Sequence, residues 1–264
     1  MLQANLNGVY MGVGASEKGV CSLQAYTIYF FFRKVNQKGL NLMENTKKIG
    51  IFNNKGGVAK TTSVINLAYS FQKKDRNVLV VDCDTQENCF SFFMTNTNSS
   101  LVLPTDYERI SHTTWERYKN LTEKEIEKFD FVLFDLPPTI SDEVRQIIRH
   151  FDVIYVPTIL GEFEIAGLKR VTDEINRQGV RLGGVFVTMY QSHNDSEIIE
   201  EFRKILQDRL MKTVIPYSKT VRESQKSGLP IEAYFREKNV PQNKNSWKIV
   251  NAYEELANEI IGGC

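Results

Sequence analysis

Residues 53–62 read Asn53-Asn54-Lys55-Gly56-Gly57-Val58-Ala59-Lys60-Thr61-Thr62, which puts two lysines, two glycines and two threonines in one short segment. An apolar run precedes it and an amphipathic stretch follows, the strand-to-helix setting in which a glycine-rich loop holds phosphate. Small glycines let consecutive backbone N–H groups turn inward, and the start of a helix adds partial positive charge, so a triphosphate can be held without a deep pocket. Lys60 brings a full charge to the outer phosphates. The Thr61 hydroxyl is placed to ligate Mg2+, which bridges phosphate oxygens. Residues 55–62 are therefore expected to bind ATP with magnesium. Asn54 and Ala59 stand where the strict phosphate-loop pattern has glycine, and a Cβ at Ala59 leaves room for phosphate if its φ is negative.

Two further segments end in carboxylates. Val80-Val81-Asp82-Cys83-Asp84-Thr85-Gln86 and Phe131-Val132-Leu133-Phe134-Asp135 are both apolar runs closing on aspartate. In an open parallel sheet the carboxyl ends of strands line the ligand crevice. A buried strand would place Asp135 opposite Thr61, where it can hold Mg2+ through water. Taken alone, Asp82 and Asp84 also read, as the lesser alternative, as strand-end aspartates capping a helix. Phosphoryl transfer to water asks for positioning, charge neutralisation and one oriented water. It needs no histidine, so His112, His150 and His193 are read as surface or capping residues.

The elements that must hold these groups follow from the hydrophobic pattern. From Lys48 onward short apolar runs alternate with amphipathic stretches, the pattern of doubly buried strands joined by crossover helices. Strands are expected over 49–53, 78–82, 131–135, 153–157, 184–189 and 213–216, giving an α/β fold with a mostly parallel sheet flanked by helices. The first helix should begin near Lys60 and bury Val64, Leu67, Ala68 and Phe71. Thr122 and Glu125 form a capping box that starts a short helix ending near Phe129. Residues 1–46 differ in texture and are read as an N-terminal extension, with Met43 as a possible native start, ahead of an ATPase domain over 47–264.

Composition narrows the class. Hydrophobic residues make up 42% and charged residues 25% of the 264, the balance of an ordinary globular protein. The net charge of +1 gives no global attraction to nucleic acid or anionic lipid, so such affinity must be local. Between residues 203 and 226, Arg203, Lys204, Arg209, Lys212, Lys219, Arg222 and Lys226 face only Asp208 and Glu223. That stripe suits salt-sensitive, sequence-independent DNA contact, though a solvated helix face reads the same way. Cys21, Cys83, Cys89 and Cys264 have no metal-binding spacing, and a reducing cytoplasm is expected. The apolar run over 25–32 is far shorter than the roughly 20 residues of a membrane span. Over 247–261, Trp247, Val250, Tyr253, Ala257 and Ile260 share one face of a helix, while Lys248 is outnumbered by Glu254, Glu255 and Glu259. Packing on the sheet is expected there, and no stable membrane association.

The run Lys55 to Thr62, K-G-G-x-x-K-T-T, resembles the deviant Walker A motif of the ParA/MinD ATPases, with Lys55 as the defining lysine. Asp82-Cys83-Asp84, the Asp135-Leu136-Pro137-Pro138 run and Val221-Arg222-Glu223-Ser224 with Gly228-Leu229-Pro230 resemble further segments of that family, ParA-type members above all. Thr85 and Glu87 depart from its usual proline and glycine. The likeness extends over residues 48–230. It implies a P-loop NTPase in which Lys55 reaches across a nucleotide-sandwich homodimer to the partner's ATP, Asp84 orients the attacking water, and Asp82 supports the Mg2+ shell. It places the adenine ring near Met189 and Pro216. The function implied is ATP-dependent dimerisation, non-specific DNA binding, and hydrolysis stimulated by a ParB-like partner. Such a protein segregates a plasmid, chromosome or mobile element and associates with the nucleoid when ATP-bound. A MinD-like positioning ATPase and a nucleotide-gated clamp with negligible turnover are the alternatives.

Overall fold

Seven strands form one sheet in a computed structural model that describes residues 46–84, 89, 91–92, 107–161 and 163–263. The expected extension over 1–46, apart from Thr46, lies outside the described residues, as do Thr85, Glu87 and the His193 side chain. The strands are β1 (Lys47–Ile51), β2 (Val78–Asp82), β3 (Ile110–Thr114), β4 (Phe131–Asp135), β5 (Val153–Thr158), β6 (Arg181–Tyr190) and β7 (Leu210–Pro216). Their order is β3-β2-β4-β1-β5-β6-β7 and every pairing is parallel. The helices are α1 (Lys60–Lys73), α2 (Trp115–Tyr118), α3 (Glu123–Ile126), α4 (Asp142–Ile148), α5 (Glu164–Arg177), α6 (Ser192–Leu206), α7 (Thr220–Lys226), α8 (Ile231–Glu237) and α9 (Lys248–Gly263).

Alternation along the central strands sorts the core into two layers. Ile49, Ile51, Phe131 and Leu133 join the apolar cluster that includes α1, α8 and α9. Val132, Phe134, Ile154 and Val156 join the one built with α4, α5 and α6. Val64, Leu67, Ala68 and Phe71 of α1 are all fully buried, as their spacing predicts. Burying a side chain the size of Leu or Phe contributes about 2 kcal/mol, so this stripe fixes α1, and with it the loop at its N-terminus, against the sheet.

Several element boundaries differ from the expected ones for local reasons. β1 ends at Ile51, because Asn53 turns the chain: its Nδ2 donates to Pro157 O at 2.8 Å and its Oδ1 accepts from Lys55 N at 3.0 Å. The capping box forms, with Thr122 N donating to Glu125 Oε2 at 2.8 Å, but α3 stops at Ile126 and Phe129 N closes a tighter turn onto Ile126 O. β3 has no counterpart among the expected strands. Ile-Ser-His-Thr-Thr carries one apolar residue because it is an edge strand, where polar side chains are favoured. At the other edge, Glu259 of α9 accepts from Lys212 N and Thr213 N, at 2.9 and 3.0 Å, which occupies the outer amides of β7. The face of α9 carrying Trp247, Val250, Tyr253, Ala257 and Ile260 is buried. Among the described residues no helix is long and apolar enough to cross a membrane.

Candidate nucleotide-binding site

The loop between β1 and α1 is anchored at both ends and in the middle. Val58 is fully buried, and the Thr188 hydroxyl at the end of β6 lies 3.3 Å from Val58 O and 3.1 Å from Thr158 O. Gly57 has φ 74°, a left-handed conformation for which glycine is suited, while Gly56 and Gly57 each have open space where a Cβ would stand. Ala59, the residue before α1, has φ 61° and ψ 34°. Its conformation is therefore the reverse of the negative φ that would spare the phosphates a Cβ. An L-residue held left-handed costs roughly 1–2 kcal/mol, and the geometry persists because Ser63 N donates to Ala59 O at 2.9 Å to start the helix. Ala59→Gly is accordingly expected to raise the urea midpoint, by an amount equivalent to about 1 kcal/mol. An unchanged or lowered midpoint would show the loop to be unstrained there.

Lys60 is 8% exposed and its Nζ donates to Lys55 O at 2.9 Å, folding the ammonium over the loop. Burial lowers its pKa, and the carboxylates of Asp135 and Asp84 pull the other way. No acidic residue occupies the first turn of α1, so the positive end of the helix is left to an anion from outside.

Parallel pairing of β2 with β4 sets Asp82 directly beside Asp135 at the carboxyl edge of the sheet. Thr61 Oγ1 donates to Asp135 Oδ2 at 2.6 Å, and Asp84 N donates to Asp82 Oδ1 at 2.9 Å. Asp135 is 1% exposed, and its Oδ1 is buried without a hydrogen-bond partner. Burial pushes the Asp135 carboxyl up to about 7, with Asp82 and Asp84 adding to the rise and the Thr61 bond and Lys60 opposing it. An unsatisfied buried carboxylate oxygen, a threonine hydroxyl and a second carboxylate make a donor set suited to a hard divalent cation. Among the described residues no three His, Cys, Asp or Glu side chains gather as a metal cage.

The structure thus brings Lys60, Thr61, Asp82, Asp84 and Asp135 to one edge. Lys55 points elsewhere: its ammonium pairs with Glu164 at the first turn of α5, beside a hollow that Asn54, Phe163 and Gly167 also line. Met189 is the last residue but one of β6 and Pro216 ends β7. Met189 has φ 55° and is 40% exposed, and Tyr217 N donates to Tyr190 O at 3.0 Å to tie the two strand ends together. All seven basic residues of the stripe are exposed, Arg203 being paired with Glu200. His150 packs edge-on against Trp115, and burial lowers the pKa of His112 on β3. Glu164, Thr188 and Gln225, whose amide Nε2 donates to Thr62 Oγ1 at 2.9 Å, have no counterpart among the residues singled out from sequence. For Glu164 the available signal, an acid in the first turn of a helix, reads as dipole stabilisation.

Strand, glycine loop and helix in this order, at the switch of a parallel sheet, define a P-loop nucleotide-binding α/β protein. Within that class the chain belongs to the CobQ/CobB/MinD/ParA nucleotide binding domain family, which matches residues 49–231. The chromosome-partitioning ATPase Soj of Treponema pallidum is 25% identical over 255 residues, covering 81% of this chain and 97% of that protein. The chromosome partitioning protein ParA of Myxococcus xanthus is 26% identical over 228 residues, covering 70% and 81%. Among solved structures, the cell division ATPase MinD of Pyrococcus furiosus superposes with a TM-score of 0.64 at 20% identity, covering 83% of this chain and all of that one. MinD of Pyrococcus horikoshii complexed with Mg-ADP gives 0.62 at 22% identity, covering 82% and 96%.

Proposed function

We propose that this protein is a partition ATPase whose domain spans residues 47–264. It binds Mg-ATP, pairs with a second copy in that state, contacts DNA non-specifically through residues 203–226, and hydrolyses ATP when a ParB-like partner engages it, so that a plasmid, chromosome or mobile element is segregated. The observation that carries this reading is the Thr61–Asp135 contact with its unsatisfied Asp135 Oδ1. The partition names of the relatives support the biological half.

In this reading the backbone of residues 56–62 cradles the phosphates, Lys60 swings from Lys55 O onto the outer ones, and Pro216 with Met189 borders the base. Thr61, Asp135 and Asp82 would hold Mg2+, which neutralises charge on the phosphate oxygens. Asp84 orients the attacking water. In this reading the protein works in the cytoplasm and on the nucleoid, and the apolar face of α9, being buried, is not available for stable membrane association. The decisive experiment measures affinity for duplex DNA with ATP and with ADP across a salt series. Tighter, steeply salt-dependent binding with ATP is expected, and affinity indifferent to the nucleotide would remove the partition mechanism.

The Lys55–Glu164 pair gives a further expectation. Lys55 can reach a partner's ATP only after leaving Glu164, so Glu164→Gln should favour the dimer. Lys55 is half exposed and the pair is correspondingly screened, which limits the effect to about a threefold lower protein concentration for half-dimerisation in Mg-ATP. Analytical ultracentrifugation checks it, and a dimer weakened by the substitution would instead give Glu164 a role inside the interface.

A further inference from the structure

One face of α1 is polar and is bolted to the segment that carries part of the basic stripe. Thr62, Asn66 and Lys73 lie within about 40° of one another around the helix axis at 3.6 residues per turn. Thr62 Oγ1 accepts from Gln225 Nε2 of α7 at 2.9 Å. Asn66 Oδ1 accepts from Ile231 N of α8 at 3.0 Å, and Asn66 Nδ2 donates to Thr62 O at 2.8 Å. Lys73 Nζ donates to both carboxylate oxygens of Glu232 at 2.8 and 2.7 Å. All three joints are buried, at Thr62, Asn66 and Glu232, and of these Thr62 belongs to the loop proposed to bind phosphate. Through this bond α7 touches a residue of the loop assigned above to phosphate. On the same short helix Arg222 and Lys226 flank Gln225, Lys219 sits at its start, and all three are exposed.

We propose that Gln225 is a positioning residue that couples nucleotide occupancy at Thr62 to the placement of the basic helix α7. A hydroxyl can donate and accept at once. When the Thr62 hydroxyl donates a hydrogen bond to a phosphate oxygen, its oxygen becomes a better acceptor for Gln225, because hydrogen bonds in a chain polarise one another. α7 is then held more firmly, and Lys219, Arg222 and Lys226 are presented in one arrangement. Asn66–Ile231 and Lys73–Glu232 serve as the fixed end about which α7 settles. The coupling is reciprocal by linkage, so DNA on α7 must raise ATP affinity by the factor that ATP raises DNA affinity.

This inference rests on the proposed DNA contact, and the test keeps the two apart. Wild type, Gln225→Ala and the triple variant Lys219→Ala/Arg222→Ala/Lys226→Ala are compared as full-length chains. Binding to labelled duplex DNA is read with a non-hydrolysable ATP analogue and without nucleotide, and backbone hydrogen exchange of residues 220–226 is read with and without Mg-ATP. Because Gln225 is exposed, the single variant is expected to fold, which an unchanged melting curve verifies. Gln225→Ala should keep the nucleotide-free affinity and lose about fivefold of the ATP enhancement. It should lose the same factor of ATP affinity gained from DNA, and Mg-ATP should no longer slow exchange in α7. An enhancement and an exchange response equal to wild type would overturn the coupling. A triple variant that binds DNA as tightly as wild type would instead remove the DNA-contacting stripe, while the exchange response of α7 to Mg-ATP would still decide the role of Gln225.

Discussion

Asp135→Asn is expected to weaken Mg-ATP binding by about 100-fold, the upper range for disturbing the surroundings of a metal site, while making the nucleotide-free protein more stable above neutral pH. The substitution keeps the shape and an oxygen that can still accept from Thr61 Oγ1, so the 2.6 Å contact survives and the charge alone is removed. In the free protein that charge is unfavourable. Burial raises the Asp135 carboxyl from the usual 3.8 to about 7, so between those values the unfolded chain releases a proton that the folded one retains. Stability from this group is complete below about 4 and is lost as pH climbs through 7. Wild type without nucleotide should therefore lose stability over that window, and Asp135→Asn should lose less of it. Adding Mg-ATP should restore wild type, with a thermal shift that grows with pH because the cation needs the carboxylate ionised. Calorimetry and melting curves at pH 5 and pH 8 measure both halves. A variant that binds Mg-ATP like wild type would mean that the cation is not held at this strand end.

A buried carboxylate with an unpartnered oxygen costs stability in the free protein, and such costs are expected where function requires an unsatisfied group. It also explains how much of the site could be read in advance. The strands ending at Asp82 and Asp135 are apolar runs closed by a carboxylate, so burial pattern and turn chemistry mark the same boundary, and both match the structure to the residue. The glycine loop, the stripe on α1 and the Thr122 box are likewise local, encoded within a few residues. What escaped the sequence depends on place in the sheet, on distance or on the sign of a dihedral angle. β3 escaped because an edge strand needs no apolar alternation. The Lys55–Glu164 pair spans 109 positions and the Gln225–Thr62 bond 163, and neither has a periodicity to announce it. The left-handed Ala59 escaped because alanine ordinarily signals the opposite conformation.

The altered Asp82-Cys83-Asp84-Thr85 segment and the strained Ala59 raise the question of whether the site turns over or only closes, and Asp84 separates the two. Its backbone is held by the bond from Asp84 N to Asp82 Oδ1, a tie that does not pass through the Asp84 carboxylate. Asp84→Ala should therefore leave Mg-ATP affinity and ATP-dependent dimerisation within about twofold of wild type, while phosphate release falls by about 100-fold, the low end for a side chain that positions or deprotonates a reacting group. The pairing of outcomes matters more than either alone, because a lost interaction made only in the transition state lowers turnover without touching ground-state binding. If wild type and Asp84→Ala release phosphate at the same background rate while both dimerise on ATP, the protein is a nucleotide-gated clamp, and the energy for letting go of DNA must come from nucleotide exchange. If turnover and binding fall together, Asp84 is a ligand of the Mg-ATP complex and the water must be oriented from elsewhere at the edge of the sheet.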